Sequence, residues 1–566
     1  MAETTNGTLG SNPVSRILKV LKLDRKEISA VYFYAILSGL VQLSLPLGIQ
    51  SIISFVLGGA ISTSLVILIV LVVLGVLIAG FISVNQMRLI EKVQQKIFVR
   101  YSFEYANRIP RLDLKSVDSY YLPELVNRFF DTVSLQKGIS KLLLEIPAAS
   151  IQILFGTILL SFYHPVFIIF SIVLIGLVYI CLYYTSPQGM ATALDESDYK
   201  YRVVGWLEEL ARVVRSFKFS KGTNLNLRKT DELVSGYIGA RTAHFRVLLL
   251  QYWTLIGFKM LITAAMLIVG SVLLISQQLN IGQFIASEIV ILLVLNSVEK
   301  LILNLDKVYD VLTSVEKLGK LTDKPLDADG NMIMPDKRTG IELSLNDLSF
   351  SYDDVFVLKG ISVKIQPGQK VAIIGSDGSG KSTLLRVLTG AYPHYDGGIL
   401  MDNLPMRNYQ SDSLRSRMGI LLSQQDIFHG TLLENITMGN TAVSPASIME
   451  LSESIGLRDF MEQQEKGFQT ELDPVGKRLS RNVIQKILLL RALINQPRLL
   501  LLEEPWTNLE PGNAQTIKSY LLNIKDSTVV VATSDATFIS QCDMVLFMQD
   551  GKLTRTLTGE QFQREK

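Results

Sequence analysis

A glycine-rich stretch, GSDGSGKST at residues 375–383, contains the residue types needed to hold a chain of phosphates. It follows the apolar run Val371–Ile374 and precedes the helix-like LLRVL, which is the strand, loop and helix order that a phosphate-binding P-loop requires. Gly375, Gly378 and Gly380 let backbone N–H groups close around phosphates, and the start of the following helix favours negative charge. The stretch therefore predicts a nucleotide site.

Side chains within and beyond this loop complete the predicted site. Lys381 supplies a cation for the outer phosphates, and Ser382 supplies a hydroxyl for Mg²⁺. About 120 residues later, RLLLLEEPWTNLE places a four-leucine strand directly before Glu503 and Glu504. We expect Glu503 to bind Mg²⁺ and Glu504 to position the attacking water, with ATP and Mg²⁺ as the cofactors. The other nucleotide-binding candidates in the loop are Ser376, Asp377, Ser379 and Thr383.

The first half of the chain predicts a membrane domain. Hydrophobic residues make up 48% of the 566 residues and charged residues only 19%, which is apolar for a soluble protein. A membrane-spanning helix needs about 20 largely apolar residues. Six segments meet this requirement, at roughly 30–56, 62–85, 142–163, 165–186, 245–277 and 281–305.

Loop lengths and basic residues predict how these segments are oriented. The connections after the first, third and fifth segments are very short, whereas those after the second and fourth exceed 50 residues. Lysine and arginine concentrate near the N-terminus and in the long connections, so the positive-inside rule assigns that side to the cytoplasm. No cleaved signal peptide is recognisable, and we expect the first segment to be an uncleaved anchor.

Charge and cysteine content exclude several classes of protein. The net charge of +3 is too weak to favour nucleic acid as a partner, and two cysteines are too few for a disulfide framework. Lys259 and Glu288 lie inside apolar segments, where an ionisable group is by default a functional hypothesis. Their heights differ by about 16 Å at 1.5 Å per residue, so we expect no direct ion pair. Lys259 either has such a role or reaches the interface by snorkelling, and Glu288 is the better cavity-lining candidate.

The order of motifs resembles that of ABC exporters, over nearly the whole chain. MGILLSQQDIFHGTLLENI at 418–436 is similar to the family's Q-loop region, and VGKRLSRNVIQKILLLRAL at 475–493 is similar to its signature segment. The resemblance implies an α-helical transmembrane domain of six helices fused to an α/β P-loop ATP-binding domain with a helical subdomain. It implies adenine stacking by Tyr352, signature contact by Ser480, and a catalytic Q-loop glutamine at Gln424 or Gln425, with Gln424 as a further Mg²⁺ ligand.

Four positions depart from the family pattern. The signature LSGGQ is LSRNV at 479–483, the Walker B aspartate is Glu503, the switch histidine is Ser534, and the D-loop aspartate is Glu510. The missing glycines leave Cβ atoms where backbone N–H groups approach the γ-phosphate held by the opposite subunit, and serine cannot carry the charge of imidazole. The combination predicts ATP binding with slow hydrolysis, whether the assembly is a homodimer or a heterodimer.

The resemblance also implies the domain bounds. These are a cytoplasmic N-terminal segment at 1–29, the transmembrane domain at 30–320, a linker at 321–340 and the ATP-binding domain at 341–566. Short transverse helices that press on the ATP-binding domain are expected at 118–130 and near 219–229.

The leading functional hypothesis is a half-size exporter of a peptide, a protein or a hydrophobic molecule. It is closest to the bacterial type I secretion members of the family, in the inner membrane, with the ATP-binding domain cytoplasmic. Its expected partners are a second half-transporter, the lipid bilayer and, in a secretion system, a periplasmic adaptor. The alternative is a regulatory, ATP-sensing half that partners another half-transporter and contributes no hydrolysis.

Overall fold

The computed structural model describes residues 13–57, 63–118, 120–220, 222–423, 425–473 and 479–565. The chain divides into two compact units, here called the helical unit and the α/β unit. The helical unit runs to Lys324 without residues 111–119, which belong with residues 325–566 to the α/β unit. The boundary at Lys324 lies within the linker predicted at 321–340.

The first part of the chain is helical. Its helices are α1 (Pro13–Leu23), α2 (Arg25–Gln42), α3 (Ser44–Leu57), α4 (Thr63–Arg108), α5 (Leu114–Val117), α6 (Leu122–Asn127), α7 (Asp131–Tyr163), α8 (Val166–Arg212), α9 (Val214–Phe219), α10 (Leu225–Ile275), α11 (Ile281–Leu303) and α12 (Leu305–Thr322). Single 3₁₀ turns at Ile109–Arg111 and Arg128–Phe130 join α4 to α5 and α6 to α7.

Six helical stretches of the described residues are long and apolar enough to cross a membrane, which confirms the six predicted segments. They are Arg25–Leu57, Thr63–Arg111, Leu122–Tyr163, Val166–Arg212, Leu225–Ile275 and Ile281–Thr322. Several are longer than the apolar segments themselves. The 51 residues of α10 extend about 75 Å at 1.5 Å per residue, against about 30 Å of hydrocarbon, so the helix continues into water.

Small residues on α7 allow close packing in the helical unit. A Cβ at Gly138 would lie 2.3 Å from Val311 Cγ2 on α12, and one at Gly156 would lie 2.5 Å from Val294 Cγ2 on α11. Real Cβ atoms do not approach that closely, so larger residues would push the helices apart. Glycine at these two positions therefore sets the separation of α7 from α11 and α12.

The α/β unit alternates strands and helices. Its strands are β1 (Leu343–Tyr352), β2 (Val355–Ile365), β3 (Lys370–Ile374), β4 (Asp396–Met401), β5 (Leu404–Pro405), β6 (Met418–Leu421), β7 (Gly430–Thr431), β8 (Glu471–Leu472), β9 (Leu499–Glu503), β10 (Thr528–Ala532), β11 (Met544–Gln549) and β12 (Lys552–Leu557). Its helices after α5 are α13 (Lys381–Leu388), α14 (Ser411–Arg415), α15 (Leu432–Thr437), α16 (Pro445–Ile455), α17 (Arg458–Glu462), α18 (Arg481–Leu493), α19 (Pro511–Asn523), α20 (Ala536–Ile539) and α21 (Gly559–Glu565).

A six-stranded sheet in the order β12-β11-β3-β10-β9-β6 positions the predicted site. All neighbouring pairs are parallel except β11 with β12. Alternate residues of β9 face two separate apolar cores, Leu501 in one and Leu502 in the other, which explains the unbroken leucine run of a strand buried on both faces. The carboxyl ends of β3, β10, β9 and β6 therefore meet at one edge.

A second sheet, in the order β2-β1-β4-β5, is antiparallel. Together the two units confirm the predicted fold class of six apolar helices followed by an α/β domain.

The segment expected as a transverse helix at 118–130 divides between the two units. Asp118 lies with α5 in the α/β unit, and residues from Tyr120 onward belong to the helical unit, where Leu122–Asn127 form α6. Asp113 caps α5 by accepting from Lys115 N–H, and its Oδ2 lies 3.5 Å from His394 Nε2. The Tyr392 hydroxyl donates to Asp118 Oδ1 at 3.4 Å. Two acidic residues that flank α5, Asp113 and Asp118, thus contact the residues around Tyr392 within the α/β unit.

The second expected segment spans the end of one helix and the start of the next. Within the described residues near 219–229, α9 ends at Phe219 and α10 begins at Leu225. The long helix α10 begins where the transverse helix was expected, because no helix-breaking residue follows Leu225 in this region.

Candidate functional site

The glycine loop connects β3 to α13, as its sequence predicts. Gly378 and Gly380 have φ of 79° and 100°, a region that residues with a Cβ rarely adopt. A Cβ at Gly375 would lie 2.2 Å from the Met548 carbonyl oxygen, so the strand behind the loop excludes any larger residue. A Cβ at Gly378 would meet nothing within 4 Å, so the loop is packed on one side and open on the other.

The side chains of the loop are arranged around this open side. Lys381 Nζ donates to the carbonyl oxygens of Gly375 and Ser376, both at 2.8 Å, so its ammonium caps the loop. Ser379 Oγ is buried and has no hydrogen-bond partner among the described residues. Asp377 is exposed, and Thr383 is buried within α13. A phosphate chain fits here, because it would offer anionic oxygens to a lysine and a hydroxyl that otherwise face only the protein.

Glu503, at the end of β9, lies beside the loop. The Ser382 hydroxyl donates to its Oε1, and the Ser423 N–H, just beyond β6, donates to its Oε2 at 2.9 Å. Burial raises the pKa of Glu503, but these hydrogen bonds outweigh burial and hold its pKa below the ordinary value. Glu503 is therefore an anion paired with a hydroxyl, and such oxygens are the ligands that Mg²⁺ prefers.

Mg²⁺ also fits the small number of protein ligands present. Within the described ranges, no group of three or more His, Cys, Asp and Glu side chains could hold a metal ion. Mg²⁺ is commonly held by one or two protein oxygens together with substrate phosphates and waters, which is what Ser382 and Glu503 provide for. Glu503, in place of the family's aspartate, keeps the negative charge. Its side chain is one methylene group longer, and its carboxylate still accepts a hydrogen bond from Ser382.

Glu504 follows in a strained conformation with φ of 41°, which is uncommon for a residue with a Cβ. Its N–H donates to the Ala532 carbonyl at 2.9 Å. Its carboxylate accepts hydrogen bonds from Ser534 N–H at 3.0 Å and from Thr533 Oγ1 at 3.2 Å. The position predicted for the switch histidine therefore contacts the predicted catalytic carboxylate, but through its backbone rather than its side chain.

The signature segment contributes a helix start rather than a glycine turn. Ser480 caps α18 by accepting from Val483 N–H at 3.3 Å, and Arg481 is exposed in the first turn. Gln485 Nε2 donates to the Pro505 carbonyl at 3.0 Å, which links α18 to the loop that carries Glu504.

The D-loop position, Glu510, is tied to neighbouring helices. Its Oε2 accepts from Asn513 Nδ2 at 2.5 Å and from Lys486 Nζ at 3.5 Å. Lys486 Nζ also donates to the Gly456 carbonyl at 2.8 Å. Glu510 thus has structural partners within its own chain.

Tyr352 ends β1 in an aromatic cluster. Its ring meets Phe350 edge to face, with centroids 4.9 Å apart, and Tyr392 at 5.8 Å. Tyr352 is only half-buried, so these neighbours fix the ring while part of it stays accessible. This arrangement is compatible with stacking on a base.

The two candidate Q-loop glutamines differ in what can be described. Gln424 lies outside the described residues. Gln425 Oε1 accepts from the Leu422 N–H at 3.4 Å, so its amide folds back onto its own loop. Ser423 lies between β6 and these two glutamines in the sequence, and its backbone N–H contacts Glu503.

Sequence reasoning missed three polar contacts of the site, made by Thr533, Gln485 and the backbone of Ser423. Thr533 is 2% exposed and could have been found, because it lies between the buried strand β10 and the predicted switch position. The other two contacts depend on how the loops after β9 and β6 approach α18 and Glu503 in the folded chain. No local sequence pattern predicts these two contacts.

The two ionisable residues singled out in the apolar segments, Lys259 and Glu288, form no ion pair with each other, as expected. Lys259 Nζ donates to Glu299 on α11, a partner that was not expected from the sequence. Both residues lie about 27 Å along their helices from the turn between α10 and α11, so their heights match. Glu288 makes no pair with Lys259, and its Oε1 is buried without a hydrogen-bond partner among the described residues.

Comparisons with known families agree with both units. Residues 28–298 match the model described as ABC transporter transmembrane region, and residues 358–507 match the model described as ABC transporter. A solved structure titled "Structure of a bacterial Atm1-family ABC exporter with ATP bound" is similar in fold, with a TM-score of 0.82 over 96% of each chain and 18% identity.

Curated relatives match over shorter stretches. The ATP-dependent lipid A-core flippase of Hahella chejuensis is 32% identical over 41% of this chain and 40% of its own length. The alpha-hemolysin translocation ATP-binding protein HlyB of Escherichia coli O157:H7 is 25% identical over 64% of this chain and 51% of its own length. The matches thus span about half or less of these relatives.

Proposed function

The chain belongs to the ABC transporter family as a half-size exporter, an integral membrane protein that joins the transmembrane region to the ATP-binding domain, and we propose that its nucleotide site binds ATP firmly but hydrolyses it slowly. The observation that carries this proposal is the environment of Glu504. A carboxylate suited to accept a proton from water is present, while the partner at position 534 is a backbone N–H instead of an imidazole.

ATP binding is assigned to residues in and around the glycine loop. Tyr352 stacks on adenine, the loop at 375–383 surrounds the phosphates, and Lys381 exchanges its carbonyl partners for phosphate oxygens. Ser382 and Glu503 hold Mg²⁺, which neutralises phosphate charge when bound. The Q-loop glutamine, Gln424 or Gln425, completes this set.

ATP hydrolysis depends on the groups that assist cleavage of the bond to the γ-phosphate. Glu504 accepts a proton from the attacking water, so that water becomes the nucleophile and ADP with its phosphate oxygen leaves. Charge that develops on the γ-phosphate needs donors, which the family takes from a histidine and from signature glycines. In this chain Ser534 and the segment at 479–483 offer a serine and a capped helix start with a cation at Arg481.

We propose that two half-transporters form the working unit in a bacterial-type inner membrane, with the α/β unit cytoplasmic. The substrate is a peptide, a protein or a hydrophobic molecule, and a periplasmic adaptor joins if the substrate is secreted. Relatives named as a lipid A-core flippase and an alpha-hemolysin translocation protein support this range. Glu288, with a buried oxygen that lacks a partner among the described residues, is the candidate group for contacting a polar part of the substrate.

The test uses the full chain reconstituted in lipid vesicles. ATP binding and phosphate release are measured for the wild type, Glu504→Gln and Lys381→Ala, with and without candidate peptides and lipids. We expect the wild type to bind ATP and release phosphate slowly, Glu504→Gln to bind equally well and release none, and Lys381→Ala to lose binding. If Glu504→Gln leaves phosphate release unchanged, Glu504 is not catalytic and a regulatory, ATP-sensing half gains support.

A further inference from the structure

The first helix, α1, is paired with α12 through one half-buried arginine. Arg16 Nη2 lies 2.5 Å from Asp323 Oδ2, and Arg16 Nη1 lies 4.0 Å from Glu316 Oε2. The arginine crosses α12 at Gly319, where a Cβ would lie 1.6 Å from Nη1. The absence of a side chain at position 319 thus permits the contact that holds α1 in place.

Four other cations near α1 are left exposed. They are Lys19, Lys22, Arg25 and Lys26. None of the four forms an ion pair with another described residue. The nearby acids are already occupied, because Asp24 Oδ2 pairs with Arg100 at 3.0 Å and Glu27 pairs with Lys96. The surface around α1 therefore carries uncompensated positive charge.

An apolar cavity of about 230 Å³ lies directly beside this charged surface. Its ten lining residues are all apolar and come from α1, α7 and α12, among them Leu21, Leu143 and Val311. Val14 and Leu18 line it while being 50% and 61% exposed, so they form an apolar mouth next to the cations. The juxtaposition matches a molecule with an anionic head and a hydrocarbon chain.

The depth of the cavity agrees with such a molecule in the bilayer. Ile139 on α7 lies 24 residues from Tyr163 at the outer turn, about 36 Å at 1.5 Å per residue. Val308 on α12 lies 27 residues from Ile281, about 40 Å. The hydrocarbon core is about 30 Å thick, or about 40–45 Å with the headgroups. The cavity therefore lies at the far headgroup level from the outer turns.

We propose that α1 and this cavity form a binding site for an anionic phospholipid of that leaflet. The headgroup phosphate pairs with the exposed cations, and part of an acyl chain enters the cavity between α1, α7 and α12. The bound lipid would contact α12, the last helix before the boundary at Lys324. Binding of the lipid to this site would therefore link the lipid composition of the membrane to the helix that precedes the α/β unit.

Lipid retention on the full chain tests the proposal. The purified protein in detergent is titrated with phosphatidylglycerol or phosphatidylcholine, and bound lipid is counted by native mass spectrometry. The charge variant is Lys19→Ser with Lys22→Ser, and the cavity variant is Leu18→Trp, whose indole fills the mouth. The matched control removes two exposed lysines of the α/β unit, Lys525→Ser with Lys552→Ser.

We expect the wild type to hold phosphatidylglycerol at least tenfold more tightly than phosphatidylcholine. The charge variant should lower phosphatidylglycerol affinity at least fivefold, the control less than twofold, and the cavity variant should weaken both lipids. Equal affinity of the wild type for the two lipids would overturn the proposal. So would an equal loss in the control, or displacement of the lipid by millimolar glycerol phosphate, which would identify a site for a free phosphate.

Discussion

Replacing Thr533 by valine should slow ATP hydrolysis without weakening ATP binding. The hydroxyl of Thr533 donates to Glu504 Oε2 at 3.2 Å, and valine removes this donor while keeping the shape of a 2% exposed side chain. The second donor to the carboxylate, Ser534 N–H at 3.0 Å, remains. Glu504 should then point less firmly toward the position of the attacking water.

The size of the effect follows from the hydrogen bond. Hydrogen bonds to charged groups contribute about 1.5–3 kcal/mol, and the 3.2 Å separation together with the partial exposure of Glu504 place this one near about 1.5 kcal/mol. Since about 1.4 kcal/mol corresponds to a tenfold change in rate, phosphate release should fall about tenfold. The affinity for ATP should stay within about twofold of the wild-type value, because the lost hydrogen bond acts in the reaction step and not in binding.

Single-turnover phosphate release with radiolabelled ATP, on the full chain in lipid nanodiscs, measures this change. Thr533→Ser is the matched control, because it keeps the hydroxyl and should hydrolyse ATP at close to the wild-type rate. Thr533→Val should bind ATP as the wild type does, and as Glu504→Gln does. Hydrolysis by Thr533→Val at the wild-type rate would contradict the role given to Thr533, and so would a loss of ATP affinity as large as the loss of rate.

Two further predictions concern buried groups of the α/β unit. Arg498→Met should lower the free energy of unfolding by about 3 kcal/mol, because it leaves the carboxylate of Asp402, which Arg498 contacts at 2.7 Å, without its charged partner. Thermal unfolding measures this change. The exposed Arg555→Met is the control and should show no comparable shift. Burial raises the pKa of the Cys542 thiol to about 12, so only about one thiol in ten thousand is ionised at pH 8. Maleimide should therefore label Cys542 in urea but not in the folded Cys181→Ser protein, and rapid labelling of the folded chain would contradict the burial.

The catalytic core was predictable because its residues come directly after strands in the sequence. The apolar run before Gly375 and the leucine run before Glu503 each indicate a buried strand, and parallel strands bring the residues at their carboxyl ends to one edge. The contact of the Ser423 N–H was missed because it arises where a loop approaches the end of β9, and a loop sequence has no periodicity. Thr533 directly follows β10 and could have been found in the same way as the other residues of this edge. The membrane helices were predicted in number from hydropathy. Hydropathy alone does not give their full length, because the apolar signal ends at the interface while the helices continue into water.

The segment around α5 shows the same limit. Of the residues expected at 118–130, Asp118 lies with α5 in the α/β unit, while the aromatic residues from Tyr120 onward belong to the helical unit. A four-residue helix has too little periodicity to be recognised. The pairing of Lys259 with Glu299 was likewise not expected, because the match in height between two helices depends on the turn that joins them.

The most direct test of the central claim compares ATP turnover of the wild type with that of a variant in which the family residues are restored. Arg481→Gly, Asn482→Gly and Ser534→His are combined in the full chain, reconstituted in lipid and assayed for steady-state phosphate release. We expect the wild type to bind ATP yet turn over far below the several-per-second rates common among enzymes, and the restored variant to be at least tenfold faster. Wild-type turnover of several per second that Glu504→Gln abolishes would contradict the account.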